Sequence, residues 1–365
     1  MRLLRPLLPL LLLAVFAVPA SAADTTIATV AKRTQLAAGF GVVLYSAYDA
    51  DAGNYRLMAF EDGRANALPV AASARPFQAD VGPTRSRHAF YVYSRCGEAA
   101  GSCDLYAFNP ATGREQRSKA SDPKHDDLHP TYWKGSLAFV REYGTTKEPR
   151  QVVYQRSTAD TRRSERLPGV PERRCDKGVC ISPRADFTAL ELHGHSRLAQ
   201  LVNSVEPSVY KVEGQPAETF RSAGTELRLL DRDLTRSRRL IRSSTGIGGQ
   251  RLTGVAFGQG ALFVSFSCLG DPGGCTRLKA GVYRYVYSAN EKASFVWGLA
   301  ADAEPIYALA ADRRKLYELR DGGAPVDGVN AGLECDQESF GPPGAPRCAI
   351  VQRDPAPTFV PIPAP

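Results

Sequence analysis

A strand–turn–strand unit recurs along this chain and restricts its fold more than any other feature. Alternation of apolar and polar residues predicts half-buried strands, and Asn-Pro, Gly and Asp predict the turns between them. The unit begins at residues 55, 105, 152, 227 and 282, with the stretches YRLMAFEDGRANAL, LYAFNPATGREQRS, VVYQRSTADTRRSERL, LRLLDRDLTRSRRL and VYRYVYSANEKASFV. Each stretch therefore predicts a β-hairpin.

A second unit precedes these hairpins and predicts an inner strand, a turn and a further strand. Its five copies start at Asp80, Asp127, Ile181, Arg251 and Val296, and a charged residue opens three of them. The two units together make a four-stranded antiparallel sheet, repeated with a period of about 50 residues. The long step between the third and fourth hairpins predicts an insertion, which we place at 203–224.

Such a sheet cannot bury both faces alone, and radial stacking of repeated sheets solves this problem in a β-propeller. We expect an all-β propeller of about six four-stranded antiparallel blades, with seven also compatible. Residues 23–40 are expected to supply a strand that closes the ring. A pair of β-sandwiches or a β-helix is the alternative.

The N-terminus has the features of a secretory signal peptide. Met1, Arg2 and Arg5 precede the apolar run PLLPLLLLAVFAVPASA, which ends in small residues before Ala23. A membrane anchor is the alternative, but the run is short and contains three prolines. We therefore expect a signal peptide at 1–22, one propeller domain at 23–354 and a proline-rich tail at 355–365.

Eight cysteines form four local pairs, and an even count in an exported protein indicates disulfides. Nearest-neighbour pairing is the simplest of the connectivities, and no pair has the CxxC spacing or a nearby histidine that a zinc site needs. The predicted bridges are Cys96–Cys103, Cys175–Cys180, Cys268–Cys275 and Cys335–Cys348. Each would fasten a loop between strands.

The stretches DLHPTYWKGSLAFV (127–140) and DVGPTRSRHAFYVYSRCGEAAGSCDLYAFNPATGRE (80–115) resemble the repeat of TolB-type propellers. Nearly all of the expected mature chain resembles secreted TolB-like, WD-repeat-like propeller proteins of actinobacterial type, a group without an assigned activity. TolB docks envelope proteins on its propeller. This chain lacks the α/β domain that precedes that propeller and the Trp-Asp dipeptide of WD repeats, so TolB's partners are not carried over.

Candidate binding residues lie where the predicted inner strands begin. Carboxylates there would form an acidic ring at one mouth of the channel, together with one histidine, which would suit calcium or a cationic ligand. Capping of turns by aspartate accounts for the same residues. These candidates are Asp80, Asp126, Asp127, His129 and Asp186.

No other motif predicts chemistry. His125 and His129 could hold zinc on a helix, but the prolines at 123 and 130 indicate a loop, and His193 and His195 lack a third ligand. The chain contains no G-x-S-x-G nucleophile elbow and no phosphate-binding loop. We predict no catalytic residue, no metal and no cofactor.

The sequence favours an exported, monomeric scaffold that binds an envelope protein or a cell-wall polymer. The formal charge of +8 becomes +6 once Arg2 and Arg5 are removed, so anionic partners are favoured. Nucleic acid is not expected, because no basic module with interleaved aromatic residues occurs. The alternatives are a glycan lyase or hydrolase, or a small-ligand or calcium-binding propeller with its site at the channel mouth.

Export is expected to remove residues 1–22, so that the mature protein begins at Ala23. Expression in a secreting host followed by intact-mass measurement checks this prediction. A secreted product that keeps residues 1–22 would contradict it.

Overall fold

The computed structural model describes residues 23–99, 102–145, 148–157, 164–170, 174–176, 179–181, 185–194, 197–210, 218–231, 234–244, 250–258, 260–268, 280–286, 296–300, 306–322, 348–354 and 359–362. Their strands form six antiparallel sheets of four or five strands and one separate hairpin. The first strand of each sheet contacts the first strands of the two neighbouring sheets, so the ring is closed. The predicted six-bladed β-propeller is confirmed.

The first three blades follow chain order, from an inner strand at the channel to an outer strand at the rim. Blade 1 consists of β2 (Ala37–Gly39), β3 (Val42–Asp49), β4 (Asn54–Glu61) and β5 (Arg64–Ala67). Blade 2 consists of β6 (Gln78–Pro83), β7 (Ala89–Cys96), β8 (Cys103–Asn109) and β9 (Arg114–Arg117). Blade 3 consists of β10 (Asp126–Trp133), β11 (Ser136–Thr145), β12 (Glu148–Ser157) and β13 (Glu165–Arg166).

The second half of the ring departs from this plan in three places, one of which is a fifth strand in blade 5. A hairpin of β14 (Arg174–Asp176) and β15 (Val179–Ile181) precedes blade 4, and β1 (Ala23–Val30) joins blade 6. Blade 4 consists of β16 (Ala185–Leu192), β17 (Leu198–Tyr210), β18 (Glu218–Leu230) and β19 (Ser237–Ser244). Blade 5 consists of β20 (Gln250–Gly258), β21 (Ala261–Cys268), β22 (Gly281–Val286), β23 (Val296–Ala300) and β27 (Phe359–Ile362). Blade 6 consists of β24 (Ala308–Asp312), β25 (Lys315–Asp321), β26 (Cys348–Asp354) and β1.

The burial of each strand follows from its place in the blade. The inner strand β10 is buried over almost its whole length, because neighbouring blades cover it on both sides. In the third strand β4, burial alternates: Tyr55, Leu57 and Ala59 are buried, whereas Arg56 is exposed. The outer strands β5 and β9 are exposed at every residue, so the rim carries the charged positions.

The apolar residues form one core cluster at each of the six blade interfaces. Between blades 1 and 2, for example, Leu44 and Leu57 pack with Phe77 and Tyr93. Full burial of one such side chain contributes about 1.5–3 kcal/mol. The core is therefore a ring of interfaces, and each blade depends on both of its neighbours.

The N-terminal and C-terminal parts of the chain meet in blade 6. Strand β1 pairs antiparallel with β26 as the outer strand of that blade. Asp24 on β1 accepts hydrogen bonds from Arg320 at 3.0 Å and Arg353 at 3.1 Å. The expected closing strand from residues 23–40 is thus present.

The structure corrects the strand assignment in three places. The segment that begins at Ile181 was expected to contain two strands, but Ala185–Leu192 is one strand and its partner is Leu198–Tyr210. Val296–Ala300 is the fourth strand of blade 5 rather than the first strand of the last blade. The extra residues around 203–224 lengthen β17 and β18, which pair from Ala199 to Tyr210, and further extra residues form the β14–β15 hairpin. The repeat period shows that this blade has extra residues, but it does not show whether they form an inserted loop or lengthen the two paired strands.

Two of the four predicted disulfides are confirmed, Cys96–Cys103 and Cys175–Cys180. The first joins directly paired residues of β7 and β8, at the base of the loop between them. The second joins paired residues of the β14–β15 hairpin. Cys348 is also disulfide-bonded. Cys275 and Cys335, the predicted partners of Cys268 and Cys348, lie outside the described residues.

The close approach of inner strands makes Gly82 a sensitive position. A Cβ at Gly82 would lie 1.8 Å from the carbonyl oxygen of Tyr132 in the next blade. We expect Gly82→Ala to lower the free energy of unfolding in urea by about 3 kcal/mol, because backbone on both sides must move. The matched control is Gly97→Ala, whose nearest neighbour would be the Ser102 hydroxyl at 3.3 Å; it should change stability by less than about 0.5 kcal/mol. Equal effects would contradict this close packing.

Candidate functional site

The central channel opens into a cavity at each end, and all six blades contribute to both. We call the end where the inner strands begin the upper mouth and the end where they finish the lower mouth. The upper cavity measures about 460 Å³ and the lower about 380 Å³. One residue from each blade defines the upper mouth, Gln35, Gln78, His129, Thr188, Thr253 and Ala308. The corresponding six of the lower mouth are Phe40, Asp80, Trp133, Glu191, Phe257 and Arg313.

The upper mouth is cationic. Arg33, Arg75 and Arg251 line it, and none of its described lining residues is an aspartate or glutamate. Arg33 donates to the backbone oxygen of Tyr307 at 3.0 Å, which holds its guanidinium at the channel. Arg75 reaches Asp126, 3.2 Å away, and its side chain is nevertheless 44% exposed. The cavity therefore combines positive charge with fixed donors.

His129 lines this mouth at the point where a β-bulge interrupts β10. Its backbone is left-handed, with φ of 48°, and its amide donates to Gln78 Oε1 at 2.8 Å. Nδ1 of the ring lies 3.1 Å from Nε2 of Gln35, and Nε2 of the ring lies 3.3 Å from Nε2 of Gln78. Gln35 also donates to the carbonyl of Thr188 at 2.8 Å. One ring thus connects blades 1, 2, 3 and 4.

These contacts favour a neutral imidazole. Backbone partners fix the orientation of both glutamine amides, so the ring faces two NH₂ groups. A neutral ring has one nitrogen that accepts a hydrogen bond, whereas a charged ring has none. Burial lowers the pKa of His129 to about 4, and the backbone of Phe187 opposes this shift. His129 is therefore uncharged at neutral pH.

Beside the lower mouth, a row of side chains accepts hydrogen bonds from the backbone of the next blade. Asp80 accepts from the backbone amide of Tyr132 at 2.7 Å, and Thr131 accepts from Leu192 at 2.9 Å. Thr131 also donates to Asp80 at 2.9 Å. Glu191 continues the row, with the backbone amide of Phe257 as its donor. The row joins blades 2, 3, 4 and 5.

Glu191 is the least compensated carboxylate of this row. Burial and the nearby charge of Asp80 raise its pKa well above the usual range, and the Phe257 amide only partly opposes this. Burial raises the pKa of Asp80 too, although three hydrogen-bond donors act against it, the third being the Val81 amide at 2.7 Å. No cation forms a salt bridge with Glu191 within the described part of the chain. This side chain therefore resists ionisation.

The predicted acidic ring is divided between different places. Asp80 lines the lower mouth and His129 the upper. Asp127 is fully buried and receives a two-point contact from Arg141, at 2.7 and 3.0 Å, whereas Asp126 accepts from the Cys103 amide at 2.8 Å. Asp186 lies on β16 opposite Asn203 and lines neither cavity. Asp126 and Asp127 are thus engaged within the fold.

The histidines considered for zinc are also separated. The ring of His125 packs against Tyr143, with ring centres 4.5 Å apart, and is not part of the upper mouth. His193 lines the lower mouth, and His195 lies outside the described residues. Over the described residues, no three His, Cys, Asp or Glu side chains come together to hold a metal ion. The same described residues contain no helix long and apolar enough to cross a membrane.

Sequence reasoning missed Arg75, Gln35, Gln78 and Glu191. Glutamine and arginine before a strand have no distinctive spacing, and their partners are far away in sequence. Gln35 is 153 residues from Thr188, for example. The repeat could have found Gln35, Arg75 and Gln78, because it predicts that the residues at the starts of all inner strands surround one mouth. Glu191 lies near the end of its inner strand, at the other mouth.

No family model and no curated protein sequence matches this chain. Its structure is similar to the β-propeller domain of Cps50 (Swd1) from Myceliophteria thermophila, with a TM-score of 0.42 and 11% identity over 90% of this chain and 98% of that one. It is also similar to the β-propeller domain of the trilobed protease from Pyrococcus furiosus, with a TM-score of 0.40 and 9% identity over 90% and 98%.

A third similar structure is the acylaminoacyl peptidase of Pyrococcus horikoshii, with a TM-score of 0.41 and 8% identity. The match covers 80% of this chain and 50% of the peptidase, so the chain spans about half the length of that enzyme. Structural similarity at these TM-scores and identities gives no information about the activity of this chain. Membership of the secreted TolB-like group stays a prediction.

The buried neutral His129 predicts a loss of stability in acid. His129 takes up a proton near pH 6.5 in the unfolded chain and only near pH 4 in the folded protein. Its contribution to the free energy of unfolding is therefore complete above pH 6.5 and is lost as the pH falls towards 4. The shift is worth about 3 kcal/mol. His129→Asn, which tolerates the left-handed backbone, should be less stable than wild type at pH 7 and should lose less stability on acidification.

Urea unfolding at pH 7 and pH 4.5 checks this. The control is His88→Asn, which changes an exposed histidine of blade 2 and should follow the wild-type curve. A stability difference between wild type and His129→Asn that does not vary with pH would contradict the buried, neutral ring.

Glu191 predicts the opposite dependence. A carboxyl whose pKa is raised by folding stabilises the fold fully when the pH is below its pKa in the unfolded chain. This stabilisation is lost as the pH rises through its pKa in the folded protein. Glu191→Gln should therefore match wild type in acid and exceed it in free energy of unfolding at neutral pH. The control is Glu61→Gln at an exposed position, which should show no such gain. A neutral-pH loss of stability in Glu191→Gln would contradict this account of the lower mouth.

Proposed function

We propose that this protein is an exported binding module whose upper mouth receives an anionic group of a cell-wall polymer. The observation that carries the proposal is the cationic cavity shared by all six blades. Its described lining contains three arginines and no carboxylate. A guanidinium presents a planar set of donors that matches carboxylate or phosphate oxygens.

The donors of the upper mouth are held before a ligand arrives. Gln35 and Arg33 donate hydrogen bonds to the backbone carbonyls of Thr188 and Tyr307. The side chain of Gln78 accepts a hydrogen bond from the backbone amide of His129. Binding then orders few additional side chains, which favours affinity. Arg75 is partly exposed and Arg251 is exposed, so both guanidinium groups are accessible to a polymer that approaches from outside.

Export is part of the proposal. The predicted signal peptide ends immediately before β1, so cleavage would leave the closing strand and Asp24 intact. Disulfides in the described chain are compatible with an oxidising compartment. An envelope protein remains the other partner class, and the lyase, hydrolase and calcium-binding alternatives stay predictions.

The test is co-sedimentation of the mature protein, residues 23–365, with cell walls isolated from the producing organism. Arg75→Ala/Arg251→Ala should bind at least roughly a hundredfold more weakly than wild type, since two charged contacts are lost and each is worth about 1.5–3 kcal/mol in a favourable site. Added salt should weaken wild-type binding and affect the double variant less.

The matched control is Arg56→Ala/Arg64→Ala, which removes the same charge from exposed positions of blade 1. Binding equal to wild type in this control and weak binding in the upper-mouth variant support the proposal. Equal weakening in both variants would show that only net charge matters, and no binding by wild type would overturn the proposal.

A further inference from the structure

The lower mouth contains a carboxylate that the fold leaves without a cation. Elsewhere in the described chain, fully buried carboxylates have arginine partners: Asp127 pairs with Arg141, Glu226 with Arg174 and Arg228, and Glu318 with Arg320 and Arg353. Glu191 has the Phe257 amide and the adjacent Asp80 carboxylate instead. Glu191 is partly exposed and lines the cavity, so a ligand that enters can reach its carboxyl group and supply the cation that the described part of the fold does not.

The walls beside Glu191 are aromatic. The His193 ring lies between Trp133 and Phe257, with ring centres 4.7 Å and 5.2 Å from the two neighbours. All three rings line the same cavity as Glu191. Aromatic faces attract organic cations through their negative π surface. The part of the lower mouth beside Glu191 therefore suits an ammonium group that carries carbon substituents.

The rim of the same mouth has the opposite charge. Arg87, Lys134 and Arg313 line the cavity from the turns that follow three inner strands. Each of these residues has a left-handed backbone, with φ of 63°, 44° and 51°, a conformation that favours glycine. Asp312 is the nearby acid, and it accepts a hydrogen bond from the Gly41 amide at 2.7 Å. A ligand that reaches the rim meets mainly positive charge.

We propose that the lower mouth binds a zwitterionic ligand of the amino-acid or short-peptide class. Its ammonium group pairs with Glu191 between the aromatic walls, and its carboxylate lies at the rim near Arg87, Lys134 and Arg313. A cavity of about 380 Å³ accommodates a ligand of this size. This site is at the opposite end of the channel from the upper mouth and does not depend on polymer binding there.

The test compares a zwitterionic dipeptide with two derivatives, each of which lacks one of its two charges. Alanyl-alanine carries both charges, its N-acetyl form lacks the ammonium, and its C-terminal amide lacks the carboxylate. The chain contains two tryptophans, so Trp297→Phe leaves Trp133 as the reporter of this mouth. Tryptophan fluorescence is followed while each probe is added to the mature protein, up to millimolar concentration.

Alanyl-alanine should change the fluorescence in a saturable way. The N-acetyl form should bind at least roughly tenfold more weakly, and the amide should also bind more weakly. Saturable binding of the N-acetyl form with unchanged affinity would overturn the pairing with Glu191. Unchanged affinity of the amide would overturn the role of the rim, and absence of any saturable response would overturn the site.

Two variants in the same background separate ligand binding from folding. Glu191→Gln keeps the shape of the side chain, is expected to be at least as stable at neutral pH, and should lose affinity for alanyl-alanine by roughly tenfold. Glu61→Gln removes an exposed carboxylate and should bind as the parent does. A Glu191→Gln protein that is folded and binds with parental affinity would refute the proposal.

Discussion

The whole molecule depends on closure of a ring of inner strands. Each blade has two apolar faces and can bury them only against two neighbours, and the six core clusters lie at the six interfaces between blades. The last interface forms because β1, from the start of the described chain, pairs with β26 near its end. Asp24 fastens this strand to Arg320 and Arg353. Closure brings the beginnings of all inner strands to one mouth and their ends to the other.

This geometry gives the two mouths different chemistry. The upper mouth collects residues at and just before the starts of the inner strands. Arginine and amide side chains there surround a neutral His129. The lower mouth collects the ends of the strands and the turns after them, where Asp80 and Glu191 lie inside a rim of cations. The same hydrogen bonds that hold adjacent blades together also orient these groups. Binding surfaces and inter-blade contacts are therefore made from the same residues.

The sequence predicted the features that repeat locally. All five hairpins, the blade number and the two disulfides seen among the described residues follow from alternation, turn residues and cysteine spacing. It failed where local pattern and three-dimensional position differ. Asp126 and Asp127 begin the inner strand β10, as an acidic ring requires, but Arg141 and a backbone amide engage them. Glu191 is one more polar residue in an alternating strand, and only the fold places it near Asp80.

The most direct test of the account is site-specific photo-crosslinking at the upper mouth. Asn203 is exposed and lines that cavity, and position 64 lies on the exposed outer strand of blade 1. A photoreactive benzoylphenylalanine is placed at one position or the other in the mature protein, which is then irradiated with isolated cell walls. The account predicts crosslinks to anionic cell-wall polymer from position 203 and few from position 64. Crosslinks from position 64 alone, or equal yields from both, would contradict the assignment of binding to the channel.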